Sequence, residues 1–367
     1  MARIFILGGT GGSGSLIARH ILEQSDAEIT IAGRRRQKAQ QLADDLSRLY
    51  PGRVAVAALD AADQSALRAA AAGHSLLVIA APLTAQTEKM ARFAIAAGLD
   101  WFDLQLGSRK LAVLKSLAGE IERAGRCFIT EAGFHPGLPS ALVRYAAAHL
   151  DVIESAVTAG YLGFNREIPY SEAVDELMEV FKDYQAQIYK DGRWTRPGAW
   201  QMRRIDFGGD IGIKRCFSMF FEELRDLPAM YPTLRDVGFF ISESHWVTDW
   251  IVTPTALVLL KLLPRAKRTL GKFVWWGMMT FRRPPFRVEL VVQAAGRQAG
   301  QPTEFAAAVS HPDAYEMTAI PAVAALMQYL DGSARQPGLH LMGHLADPAR
   351  LMTDMKRMGV KFRMASN

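Results

Sequence analysis

The strongest constraint on how this chain folds is Gly8-Gly-Thr-Gly-Gly-Ser-Gly14, directly behind the apolar run Arg3–Leu7 and directly ahead of a helix-periodic segment. Five glycines in seven residues strip side-chain bulk from the point where a strand reverses into a helix. That is the context a dinucleotide-binding turn requires. Two registers fit, Gly9-x-Gly11-x-x-Gly14 and Gly8-x-x-Gly11-x-x-Gly14. In both, Gly11 lets a pyrophosphate approach the backbone and Gly14 lets the helix pack closely. The helix amino terminus then holds the phosphates. Thr10 and Ser13 add hydroxyl donors, so Gly8, Gly9, Thr10, Gly11, Gly12, Ser13 and Gly14 are read together as the phosphate-binding residues.

The rest of residues 1–140 supports that context. Short apolar runs rich in β-branched residues alternate with helix-periodic runs, six of the first kind and five of the second. This is the pattern of an α/β, Rossmann-type doubly wound parallel sheet. Cofactor choice is read at the end of the second strand. An NAD site needs a carboxylate there for the ribose hydroxyl, whereas this sequence has Ala32-Gly-Arg-Arg-Arg36. Guanidinium groups pair with a 2′-phosphate by charge-assisted bonds. Arg34 and Arg35 therefore point to NADP(H), the alternative being a solvated basic turn. Asp60, ending the third strand, is expected to accept from the adenine amino group. Ala81 and Pro82, ending the fourth, are expected to border a ribose.

Beyond Ala132-Gly-Phe-His-Pro-Gly-Leu-Pro-Ser140 the pattern changes. Alternating runs at 152–161, 286–295 and 303–310 predict strands, the last two joined by a glycine-containing hairpin loop. An apolar helix at 319–330 and a helix over 170–189 complete an α+β domain with an antiparallel sheet. With 367 residues, 50% hydrophobic and 22% charged, the chain is too apolar for disorder and long enough for two domains. Cys127 and Cys216 are too few for a disulfide framework, and the amino terminus has no signal-peptide pattern. A cytoplasmic location is expected.

The net charge is +6, and Lys261–Arg283 alone contributes +7, leaving the rest of the chain at −1. With no second basic stripe, nucleic acid is not an expected partner. That same cluster lies in the oddest stretch, 246–283, where Trp, Leu, Val and Met are laced with cations. Its first half has no charge-free run longer than the 11 residues Trp250–Leu260, well short of the ~20 a membrane span needs. It either touches a membrane surface peripherally or lines an apolar substrate entrance, or it forms a pair of buried helices with solvated basic ends.

Several of these pieces together resemble one family. The glycine loop, Ala32-Gly-Arg-Arg35, Ile79-Ala-Ala-Pro82, Gly98-Leu-Asp-Trp-Phe-Asp-Leu104 and Ala132-Gly-Phe-His-Pro-Gly137 are similar to the saccharopine dehydrogenase NADP-binding family, in its saccharopine reductase and carboxynorspermidine dehydrogenase branch. The resemblance implies an NADP-dependent oxidoreductase acting on a small-molecule substrate. Hydride passes to or from a C=N bond of an imine or secondary amine. A C=C or C=O bond in an apolar, lipid-like substrate is the alternative, and a non-catalytic NADP(H)-binding protein at a membrane surface is another. The resemblance also implies a homodimer. It divides the chain into 1–140, 141–340, and a closing helix and strand, 341–367, that return to the cofactor domain. Roughly 160–285 resembles nothing specific.

The family loop usually reads Gly-x-Asp-Pro-Gly, and here His135 replaces the aspartate. With an ordinary pKa near neutrality, His135 is expected to donate a proton beside the reduced carbon, the alternative being that it caps the following helix or simply fills the loop. Glu131, ending the sixth strand, is expected to orient it. Asp103 is read as a bond to a nearby backbone turn, and Tyr161 as a core residue or a phenol for the site. Arg166, Arg203, Arg204 and Arg215 are the cations left to bind substrate carboxylates. No serine-nucleophile elbow and no metal-ligand spacing is present.

Overall fold

The computed structural model describes residues 2–164, 168–171, 174–175, 178, 185–198 and 202–366. The chain divides into two units, Met1–Gly137 with Thr318–Asp347, and Leu138–Met317 with Pro348–Asn367.

The first unit is built on seven parallel strands in the order β15-β6-β5-β4-β1-β2-β3. These are β1 (Arg3–Leu7), β2 (Glu28–Gly33), β3 (Val54–Ala58), β4 (Leu76–Ile79), β5 (Asp100–Asp103), β6 (Cys127–Thr130) and β15 (Gly338–Leu341). Leu76, Leu77, Val78 and Ile79 are all fully buried, because helices cover both faces of a parallel sheet and leave no polar side to alternate with. Trp101 stacks on Phe128 at 5.4 Å between neighbouring strands, inside a core shared with Phe5, Leu77 and Leu114.

A late segment completes this unit. Tyr329 donates to the buried Asp100 carboxylate at 2.7 Å, Arg335 donates to the same oxygen at 3.0 Å, and β15 pairs in parallel with β6. The tail departs from the sequence expectation. The helix Pro348–Arg357 and strand β16 (Lys361–Ser366) belong to the second unit, and Thr318–Asp347 is the part that returns to the first. The expected boundary at 341 therefore moves. Both strands are short, and their composition does not identify their partners: β15 finds β6, while β16 pairs antiparallel with β14, setting Phe362 opposite Val309.

The second unit is a nine-stranded sheet whose main path runs β10-β11-β12-β7-β13-β14-β16. Its strands are β7 (Val152–Leu162), β8 (Ile188–Lys190), β9 (Arg193–Thr195), β10 (Met202–Asp206), β11 (Ile213–Met219), β12 (Asp236–Ser242), β13 (Val288–Gln298) and β14 (Gln301–His311), with β16. The expected hairpin is present, with β13 and β14 paired from Val288 opposite His311 to Gln298 opposite Gln301. The sheet is mixed rather than wholly antiparallel, because β12 runs parallel to β7. That pairing joins strands 73 residues apart in the chain, a separation that strand periodicity does not reveal. Ile205, Phe207 and Ile211 fold back onto Val157, Tyr161, Val291 and Ala308. Arg287 pairs with Asp210 and Glu289, and Arg363 pairs with Glu289, which locks the fold-back in place.

Arg166, and residues 172–173, 176–177 and 179–184 of the helix expected over 170–189, lie outside the described residues. The end of that helix is corrected, because Ile188 and Tyr189 belong to strand β8, which pairs with β12 and β9. Among the described residues, no helix is long and apolar enough to cross a membrane.

One buried charge organises the ends of β5 and β6. Lys110 is fully buried with its ammonium 2.8 Å from Asp103 Oδ1, and it also donates to Thr130 Oγ1 at 2.6 Å and to the Gln105 carbonyl. Asp103 further accepts from Trp101 Nε1 at 2.6 Å, Thr130 Oγ1 at 2.7 Å and the Gln105 N–H at 2.9 Å. All three ammonium protons are used. Lys110→Met leaves the carboxylate uncompensated and should cost about 3–5 kcal/mol of unfolding free energy. Urea denaturation at neutral pH measures this, and a loss under about 1 kcal/mol, the scale of a surface pair, would contradict it.

Candidate functional site

The glycine turn is a backbone-on-backbone contact. Gly8 has φ 81°, and a Cβ there would lie 2.7 Å from the Ala80 carbonyl and from Ala81 Cβ. A Cβ at Gly14 would lie 2.2 Å from the Gly8 carbonyl oxygen, deep inside contact distance. The Gly8 N–H donates to Ala32 O at 3.0 Å, and the Gly11 N–H donates to Gly8 O at 2.9 Å. The turn is thus tied to the ends of β2 and β4. Beyond it the helix Gly12–Gln24 starts with Gly11 as its cap and no capping side chain. The first-turn N–H groups of Gly12, Ser13 and Gly14 therefore have no partner inside the helix. Only Gly8 O at 3.2 Å and Ala80 O at 3.9 Å would come near a Cβ at Gly11. Bare backbone, aimed N–H groups and a helix amino terminus fit a diphosphate.

The other expected cofactor residues gather at this edge of the sheet. A Cβ at Gly33 would lie 3.6 Å from Thr10 Oγ1, which puts Thr10 beside the end of β2. Arg34 and Arg35 follow directly, both exposed, with Arg35 immediately ahead of the helix Arg36–Leu49 and making no side-chain capping bond to it. Asp60 is exposed, and its Oδ1 accepts the Ala62 N–H at 2.9 Å in the turn after β3. Ala81 lies against Gly8, and its carbonyl accepts from Gln105 Nε2 at 2.9 Å. Pro82 next to it is exposed.

The loop from Glu131 to Gly137 leaves β6 at the same carboxyl end of the sheet. Glu131 is 2% exposed and holds φ 58°, a left-handed conformation unusual for a side-chain-bearing residue. The loop then closes on itself. A bridge joins Gly133 to Gly137, and a Cβ at Gly137 (φ 118°) would lie 2.6 Å from the Glu131 carbonyl and 2.9 Å from the Gly133 nitrogen. Only glycine satisfies both the angle and the space. His135 sits in this loop with its ring 4.5 Å from that of Phe134. The protein packed around the ring desolvates the imidazole and pulls its pKa down to about 4. The expectation that His135 titrates near neutrality is thereby corrected. At pH 7 the ring is neutral, because burial disfavours the cation.

Other sequence candidates belong elsewhere. Tyr161 is a core residue of the second unit, donating to the Pro285 carbonyl at 3.0 Å. Arg203 is paired with Asp236, and Arg215 with Glu243. Asp103 does bond a backbone turn, as expected, but its main partner Lys110 was not anticipated. A lysine in Ser108-Arg-Lys-Leu111 carries no sequence sign of being buried. Among the described residues no group of histidine, cysteine and carboxylate side chains is arranged to hold a metal ion.

Residues 4–125 match the family model of the saccharopine dehydrogenase NADP binding domain. NADP(H) is the cofactor of this domain, in keeping with the bare cradle and the paired arginines. Carboxyaminopropylagmatine dehydrogenase of Synechocystis sp. is 25% identical over 268 residues. The match takes in 67% of this chain but 63% of the relative, less than two thirds of its length. Apo saccharopine dehydrogenase (L-Glu forming) from Saccharomyces cerevisiae has the same fold, with a TM-score of 0.69 at 14% identity over 100% of both chains.

If Arg34 and Arg35 hold the 2′-phosphate, replacing both by Ala removes two charge-assisted bonds that NADH does not use. NADPH affinity should fall by ~10-fold or more, with NADH affinity nearly unchanged. Fluorescence titration with both nucleotides checks this, and equal losses would show that the arginines do not read the phosphate.

Proposed function

We propose that the protein is an NADP(H)-dependent oxidoreductase that moves a hydride to or from the carbon–nitrogen bond of a small secondary amine or imine. The observation that carries this reading is the placement of the His135 loop at the same strand ends as the glycine cradle. In a doubly wound sheet ligands collect at that edge. The Synechocystis relative's name, a dehydrogenase of a carboxylated aminopropyl compound, supports the amine class.

When bound, the cofactor takes a hydride from the amine carbon or returns one to the imine carbon, while a proton leaves or joins the nitrogen. In the oxidising direction the neutral His135 offers a ring nitrogen lone pair for that proton. A substrate carboxylate beside the ring would raise its pKa and so aid the transfer. Glu131, at the start of the same loop, is assigned to orienting the ring. The Lys110–Asp103–Thr130 lattice holds the ends of β5 and β6 in register, so the loop presents His135 from a rigid edge.

Reduction of a C=C or C=O bond in an apolar substrate is a second reading, favoured by the apolar residues exposed within 246–283. Cys127 and Cys216 are both free and buried, and a reducing, cytoplasmic compartment is the location this reading assigns. A homodimer is the assembly that the family resemblance supports.

The test follows NADPH absorbance with two substrate panels, carboxylated secondary amines or their imines, and enoyl or carbonyl lipids. Turnover on the first panel, cut by roughly 10²–10⁴ in His135→Ala, is the expected result. Turnover on the second panel alone would replace the proposed substrate class. Tight NADPH binding with no turnover on either would overturn the enzyme reading.

A further inference from the structure

The apolar, basic stretch that the cofactor chemistry leaves unexplained forms an αα-hairpin in the second unit. Helix Thr253–Leu262 runs into the short turn Pro264–Ala266 and then helix Lys267–Thr280. The two are antiparallel, since Thr248 Oγ1, just ahead of the first, donates to the Gly277 carbonyl near the end of the second at 3.1 Å. A Cβ at Gly277 would lie 3.0 Å from Val252 Cγ1, so the helices approach closely there.

One face of this hairpin is packed. Ala256, Leu260 and Leu270 are buried in a small core with Met178. The opposite face is not. Ile251, Val258 and Leu262 recur at helical spacing with 48%, 58% and 70% exposure, and on the second helix Phe273 and Trp276 stack on each other while 37% and 51% exposed. Among the described residues, eight of the twelve large hydrophobic side chains left exposed lie within 246–286. Such concentration marks an interaction surface rather than scattered exposure.

The charge around this face selects the partner. Leu262 and Leu263 stand at the tip of the hairpin, 70% and 56% exposed. Lys261, Arg265, Lys267 and Arg268 surround them, every one exposed. From Trp250 to Val288 the sequence contains no acidic residue. The Tyr170 hydroxyl, 3.3 Å from the Arg268 carbonyl, donates to Asp175 at 2.6 Å. An anionic phospholipid surface offers acyl depth for the leucines and phosphates for the exposed cations together, which a protein surface of mixed charge does not. At 1.5 Å per residue the ten-residue first helix is ~15 Å long, half the hydrocarbon thickness. It can seat at the interface and cannot span.

We propose that the hairpin tip, Lys261–Arg268 with the outer face of both helices, docks the protein on anionic phospholipid membranes. This does not rest on the proposed reaction. Its test is co-sedimentation of the full chain with vesicles of phosphatidylcholine alone and of phosphatidylcholine mixed with phosphatidylserine. The expected result is binding to the mixed vesicles and release when ionic strength rises from about 0.1 M to about 1 M. The triple variant Arg265→Glu, Lys267→Glu, Arg268→Glu should lower the partition coefficient by at least about 100-fold. Leu262→Ser with Leu263→Ser should lower it without changing the preference for anionic lipid. All substituted residues are exposed, and NADPH binding checks that the variants are folded. Three outcomes would overturn the proposal: no binding of the wild-type chain to mixed vesicles, equal binding to both vesicle types, or undiminished binding by the charge-reversed variant. A dimer that the leucine variant dissociates, without vesicle binding, would assign the tip to a second copy and also overturn it.

Discussion

The first unit depends on one close approach, the Gly8 carbonyl lying where any side chain at position 14 would have to begin. Because Gly14 has none, the helix Gly12–Gln24 packs tightly against the end of β1 and its amino terminus is fixed relative to the sheet. Gly8 in turn rests on Ala80 and Ala81 after β4, and its N–H bonds to the end of β2. Three strand ends therefore converge on a patch of backbone with no side chains over it. Phosphate binding by a helix terminus needs that bareness, since the N–H groups act only at hydrogen-bond range.

A second constraint stands at the far side of the same edge. The loop after β6 is closed so tightly that Gly137 cannot carry a Cβ, and Glu131 is held in a left-handed conformation. Conformations of this kind cost energy and persist where the surroundings enforce them. The enforcement comes partly from the Asp103–Lys110–Thr130 lattice, which ties β5 to β6 with every ammonium proton used. The result is a histidine, within the cofactor-domain unit itself, held neutral by desolvation. With its pKa near 4 the imidazole is a weak base at pH 7, so proton transfer through it requires a bound substrate that raises that pKa.

Features carried by local chain chemistry were legible in the sequence. The glycine turn, the arginines after β2, the order of the six leading strands and the β13–β14 hairpin each follow from residue type and period within a few positions. Features that depend on a distant partner were not. Lys110 looks like any surface lysine until Asp103 and Thr130 close around it, and β16 joins β14 although its composition would have suited the first sheet as well. The parallel pairing of β7 with β12 spans a long crossover that no periodicity announces. His135 was identifiable as a departure from the family loop, but its pKa is a property of the packing around it. The basic apolar stretch was legible as unusual, yet only the hairpin shows that its leucines and cations share one exposed end.

The central claim is that bare backbone at Gly8–Gly14 and the guanidinium groups after β2 together bind a dinucleotide carrying a 2′-phosphate. Titration calorimetry of the full chain with NADPH and NADH tests it most directly. The account requires saturable binding of both at one site per chain, with NADPH the tighter by at least ~10-fold. Absence of binding by folded protein, or a preference for NADH, would contradict it.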